Sequence, residues 1–145
     1  MAKRTPAIEI TSFGIYSQWD AKSKQLPKIT QFTTDVPADE SIEFGFTVNI
    51  KRAKGLVLDY CIDHPGILNK KGLVMAPFDG DIHINSNDWD FYLGDTIQLK
   101  CPDGGLESNL GPWRMTMTLQ SKIIAEKTFH VYPRDEAGFW KRRGY

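Results

Sequence analysis

At 145 residues, with eight phenylalanines and four tryptophans, the chain is long enough to bury about 70% of the surface it would expose unfolded, so it can hold a core without staples. Eighteen Lys and Arg balance 18 Asp and Glu, so no global field draws it to nucleic acid or an anionic membrane. The longest apolar runs, Leu56-Val57-Leu58 and Ile123-Ile124-Ala125, fall far short of the roughly 20 residues of a membrane-spanning helix.

Met1-Ala2-Lys3-Arg4-Thr5-Pro6 leads into the alternating Ile8-Glu9-Ile10-Thr11 and not into an apolar signal core, which predicts a cytoplasmic protein. The first strand, Ile8 to Tyr16, changes phase from Ile8 and Ile10 to Phe13 and Ile15, with Gly14 placed to absorb a kink. A broken strand of this kind suits a sandwich edge. Helical periodicity is absent apart from room for a turn or two around Trp19 to Lys24. The clearest signal follows: Ile42, Phe44, Phe46, Val48 and Ile50 alternate with Glu43, Gly45, Thr47, Asn49 and Lys51. This period of two predicts a central strand with one apolar face.

Arg52 to Gly55 reads as a turn, and the next strand turns Leu56, Leu58, Tyr60 and Ile62 inward before His64-Pro65-Gly66 stops it, as in a hairpin. Later strands carry Ile97, Leu99 and Cys101, then Trp113, Met115, Met117 and Leu119, on one face each. From Lys122 to Tyr132 the apolar phase Ile123, Ala125, Phe129, Val131 is spoiled by Lys127, and a bulge near Glu126 to Thr128 would repair it. Cys61 shares the outward phase of Asp59 and Asp63, whereas Cys101 points inward, so both are read as free thiols. About seven to eight short strands predict an all-β domain of two packed antiparallel sheets over residues 1–132. A small β-barrel is the alternative, and residues 133–145 form a basic, aromatic tail.

Four stretches together carry a family likeness: Ser12-Phe13-Gly14-Ile15-Tyr16, Glu43-Phe44-Gly45-Phe46-Thr47, Asn87-Asp88-Trp89-Asp90-Phe91-Tyr92-Leu93-Gly94-Asp95 and Gly111-Pro112-Trp113-Arg114-Met115-Thr116-Met117. Over most of residues 8 to 132 the chain resembles a small bacterial family of unknown function. The resemblance implies an immunoglobulin-like antiparallel β-sandwich, intracellular in members without a leader, and no activity to carry over. Trp113 followed by Glu126-Lys127-Thr128-Phe129-His130-Val131 is similar to the closing hairpin of many bacterial immunoglobulin-like modules. The paired cysteines of antibody domains, with a tryptophan between them, are missing.

Gly72 to Leu99 contains no Lys or Arg but holds Asp79, Asp81, Asp88, Asp90 and Asp95. Asp79, Asp81, Asp88 and Asp90, with Asn85 and Asn87, are the oxygen donors a calcium ion would use, although their spacing does not match the calcium-loop motif. The simpler reading gives Asp79-Gly80 and Asn87-Asp88 to turns. Phe78, Trp89, Phe91 and Tyr92 are interleaved with these acids, as on a carbohydrate- or peptide-binding surface. Phase puts Trp89, Phe91 and Leu93 inward and leaves Asp90 and Tyr92 outward.

His64, His83 and His130 lie on separate elements without zinc spacing, and are read as turn or surface residues. No nucleophile elbow, phosphate loop or dinucleotide fingerprint occurs, so neither catalytic residue nor cofactor is predicted. Phe139-Trp140-Lys141-Arg142-Arg143 mixes rings with cations as single-strand binders do, but residues 133–145 read first as a frayed end or edge cover. The sequence therefore points to a non-catalytic interaction module, with a protein partner or self-association through an edge strand. Its candidate contacts are Asp88, Trp89, Asp90, Tyr92 and Trp140. Calcium, small-ligand or carbohydrate binding through residues 78–95 is the alternative.

Overall fold

The computed structural model describes residues 5–17, 26–38, 42–66, 73–97 and 110–133. Nine strands lie among them: β1 (Ala7–Tyr16), β2 (Ile29–Phe32), β3 (Asp35–Pro37), β4 (Glu43–Lys51), β5 (Val57–Asp63), β6 (Phe78–His83), β7 (Asp88–Thr96), β8 (Gly111–Leu119) and β9 (Lys122–Tyr132). No helix among the described residues is long and apolar enough to cross a membrane. The turn expected around Trp19 to Lys24, Leu99, Cys101 and Trp140 all fall outside the described residues.

The strands form two sheets, one in the order β2-β1-β4-β7 and one in the order β3-β9-β8-β5-β6. The chain is thus an all-β sandwich, and the nine strands pair antiparallel except β3 with β9, which run parallel. β4 is central, as its alternation predicts. Phe44, Phe46, Val48 and Ile50 have no exposed surface, and each contributes about 1.5–3 kcal/mol on burial. Trp113, Met115 and Met117 of β8 are equally buried and meet them from the other sheet. Phe44 stands edge-on to Trp113 at 5.2 Å and to Phe129 at 5.6 Å, a geometry that ring quadrupoles favour.

The phase change in β1 is real, but its cause is a bulge at Thr11 and not a kink at Gly14. Ile10 pairs with Val48 and Ser12 with Thr47, so the extra Thr11 returns Ile8, Ile10, Phe13 and Ile15 to one inward face. β1 is not an edge, since β2 pairs with it on the far side from β4. In β9 the extra residue is Ile124, because Ala125 pairs with Met117 and Ile123 with Thr118. The expected bulge at Glu126 to Thr128 is absent: Lys127 stays in the inward row and sets its ammonium 4.0 Å from the centre of the Phe13 ring, a cation–π contact that keeps the charged tip satisfied.

The expected hairpin of β4 and β5 is also corrected. β4 pairs with β1 and β7, whereas β5 pairs with β6 and β8, so Arg52 to Leu56 carries the chain from one sheet to the other. Asn87 braces this crossing, its carbonyl accepting from the Arg52 amide at 2.9 Å and its side-chain oxygen from the Lys54 amide at 3.3 Å. The true tight hairpin joins β8 to β9 through Gln120 and Ser121, both at positive φ, 51° and 66°. Two left-handed residues are what a two-residue hairpin loop with matching twist requires.

Candidate functional site

β6 and β7 are consecutive strands that occupy the last place in different sheets. Each pairs on one side only among the described residues, and the Tyr60 and Phe91 rings, 6.0 Å apart, bring the two edges to the same flank of the sandwich. On β6 only Phe78 and Gly80 are half-covered, and the other four residues are exposed. Ile82 pairs with Leu58 in the inward row, yet remains 37% exposed. Trp89 and Phe91 of β7 stack at 5.1 Å with an 8° tilt, half-buried on the inward side of their sheet. Leu73, Val74 and Met75, all exposed, lead into β6. The flank is therefore an apolar seam between two sheet edges.

The acids divide between opposite surfaces. Asp79 and Asp81 pair with Cys61 and Asp59 of β5, on the outer face of the five-stranded sheet. Asp88 and Asp90 pair with Lys51 and Asn49 of β4, on the outer face of the four-stranded sheet, where the Asn49 amide donates to both carboxylates at 2.6 and 2.9 Å. Sheets pack about 10 Å apart, so acids on their two outer faces cannot share one ion. Among the described residues no group of three or more His, Cys, Asp or Glu is placed to hold a metal. Asn85 is exposed, and Asn87 is committed to the turn beside β4.

Tyr92 requires a correction: it is 4% exposed, not an outward contact. Its phase was read properly, but the outer face of the four-stranded sheet is itself covered there. Gly14, Gly45 and Gly94 stand side by side across three strands. A Cβ on Gly94 would lie 2.0 Å from the Tyr92 oxygen, so the ring folds flat over that glycine. Its hydroxyl donates to Glu43 Oε2, while the Thr96 hydroxyl donates to Oε1 at 2.9 Å. From the other side of the glycine row Tyr16 reaches back to the Ser12 hydroxyl at 2.8 Å, and the two tyrosine rings meet at 5.0 Å. Ser12 and Thr11 both bond Thr47, at 2.6 and 2.7 Å. Sequence reading missed this network, because Glu43 and Thr47 alternate with apolar residues as solvated positions do. The available signal was three mid-strand glycines, which mark close approach.

Burial pushes the Glu43 carboxyl above the usual carboxylate range, with the Tyr92 and Thr96 donors opposing. Burial likewise raises Asp95, which faces inward opposite Phe44, and raises the Tyr92 and Tyr16 phenols well clear of physiological pH. The Cys61 thiol is pushed up by burial first and then by Asp63 and Asp79, the reverse of what a nucleophilic cysteine needs. His64, read as part of the turn that stops β5, is 7% exposed, 4.9 Å from the Phe78 ring, with Nε2 3.1 Å from the Ala76 carbonyl. His83 and His130 are exposed, as expected.

A family model described as Domain of unknown function (DUF3859) matches residues 4–131. No curated protein matches the chain. Among solved structures it is similar to an immunoglobulin-like protein (PA1606) from Pseudomonas aeruginosa, with a TM-score of 0.65 and 20% identity, over 87% of this chain and 97% of that one. The likeness extends to the fold alone. A second similarity, to the Pseudomonas fluorescens alkylpurine DNA glycosylase AlkC bound to DNA containing an abasic site analog, has a TM-score of 0.42 and 14% identity over 68% of this chain and 27% of that one, and carries no argument.

Proposed function

We propose, from the premise that the chain belongs to the family Domain of unknown function (DUF3859) and has an immunoglobulin-like sandwich fold, that it is a non-catalytic interaction module taking an extended segment of a protein partner along the β6–β7 flank. One observation carries this reading: β6 is a sheet edge with most of its residues exposed, and it borders an apolar seam of Ile82, Trp89 and Phe91 that its own fold leaves half-open. An unpaired edge offers a row of backbone donors and acceptors to an incoming strand, while pockets for alternate side chains supply selectivity. Trp89 is the aromatic anchor of this surface. The raised Cys61 thiol suits a binding role better than a nucleophilic one, and we place the protein in the cytoplasm, where such a thiol stays reduced.

The test compares Ile82→Lys with Ile123→Lys, both at exposed apolar positions, after thermal melts show each variant folded. A partner captured from lysate of the source cell by wild type should be retained by Ile123→Lys and lost by Ile82→Lys. Retention by both variants would remove the flank from consideration.

A further inference from the structure

We infer that the segment taken by β6 is an extended peptide alternating cationic with apolar residues, a deduction that rests on the flank reading above. Along β6, Asp79, Asp81 and His83 occupy the outer row, and Phe78, Gly80 and Ile82 the row facing the other sheet. A strand added to this edge would continue both rows, each of its side chains lying beside one of these.

The outer row asks for positive charge. Asp81 stands directly opposite Asp59, a like-charge cross-strand pair that is unfavourable until compensated. Residues 73–97 contain no Lys or Arg. Among the described residues the ion pair is Arg114 with Glu126, and no cation is paired with Asp59, Asp79 or Asp81. These three acids line an open depression of about 410 Å³ together with Tyr60, Thr116 and Thr118.

Spacing separates a peptide from a single ion. The acids do not gather into a metal-holding group. Asp79 and Asp81 are two residues apart on one strand, about 6.6 Å, which is also the interval between alternate side chains of a paired strand. Two cations of one extended segment match them, whereas one ion does not. The inner row asks for the opposite character. Ile82 is exposed, and over Gly80 the surface is the Tyr60 ring, whose hydroxyl stands 2.5 Å from where a Cβ would be. Trp89 and Phe91 continue that apolar surface across the seam.

The experiment uses the full chain, ¹⁵N-labelled, and two synthetic nine-residue peptides that alternate valine with lysine or valine with glutamate. The lysine peptide should move the amides of Phe78–His83, bind at least about tenfold more weakly at high salt as exposed charges are screened, and lose a similar factor against the Asp79→Asn/Asp81→Asn double variant. Equal binding of both peptides at β6 would overturn the charge inference while leaving the flank reading intact. Binding only at other strands would overturn both. If neither peptide moves β6, the inference falls and the Ile82→Lys capture still decides the flank by itself.

Discussion

The outer faces of the two sheets use the same alternation to opposite ends. On the four-stranded sheet, Ser12, Thr47 and Tyr92 form one cross-strand row, the three glycines the next, and Tyr16, Glu43 and Thr96 a third. Its hydroxyls and carboxylate bond one another, and no buried side-chain polar atom of the described residues lacks a partner. On the five-stranded sheet, Asp59 and Asp81 oppose each other, and Cys61 opposes Asp79, with half-buried Thr116 and Thr118 beside them and no tyrosine of the described residues laid over them. Glycine makes the difference. Where it leaves room, a tyrosine lies down and closes the face; where side chains stand in every row, the face stays open. The first face is closed by its own side chains, and on the second Asp59, Asp79 and Asp81 stay exposed.

The sharpest way to break this contrast is to fill the glycine row. A Cβ at Gly45 would lie 2.2 Å from the Leu93 carbonyl oxygen and 2.5 Å from the Gly94 Cα. Because both are backbone atoms, Gly45→Ala should cost about 3 kcal/mol or more, read as a fall in the urea midpoint. On the five-stranded sheet Gly80 lies in the inward row, and Gly80→Ala meets the tip of the half-buried Tyr60 ring. That ring can swing aside, so the loss should stay within about 1 kcal/mol. Similar losses at the two positions would show that the glycine row is no tighter than an ordinary inward glycine.

A smaller effect tests the polar closure. Tyr92→Phe takes the donor from Glu43 Oε2 and should cost about 1–3 kcal/mol, the penalty of a buried acceptor left unmet. The pH dependence follows from the raised Glu43 carboxyl. The native state holds that proton to higher pH than the unfolded chain does. Stability from this group is therefore present in acid and is lost as pH rises from about 4.3, the unfolded value, through the raised native one. Glu43→Gln should flatten the fall in melting temperature over that window; an unchanged slope would place the titration elsewhere. Smallest is Asp81→Asn, which relieves the pair with Asp59 and should stabilise by about 0.2–1 kcal/mol at low salt, less at high salt.

Much of the sandwich was legible because alternation reports burial directly. The inward residues of β4 and β8 were readable one by one, and even the faults in β1 and β9 showed as phase changes. What misled was chain connection. Two strands separated by a short turn read as a hairpin, but period two cannot say whether Leu58 pairs beside Phe46 or faces it from another sheet. The candidate site was only half visible for the same reason. Residues 78–95 are contiguous in sequence and acidic throughout, which suggested one loop, yet β6 and β7 carry Asp79 and Asp88 to surfaces facing away from each other. Tyr92 escaped because burial by a neighbour's missing side chain leaves no mark in the hydropathy pattern. Trp89 was placed correctly on the inward side, and its half-open setting depends on the edge position that only topology reveals.

The order in which the strands leave the ribosome has a cost of its own. The four-stranded sheet can be complete once β7 ends at Thr96, but β8 and β9, which cover Phe44 and Phe46, finish only with Tyr132. At about 5–20 residues per second, the intervening 36 or so residues take roughly 2–7 s, during which the apolar face of β4 faces water. The parallel seam of β3 with β9 closes last of all. The apolar face of β4 is therefore fully covered only once β9 has been made, so slowing translation between Thr96 and Tyr132 should lower the yield of folded protein.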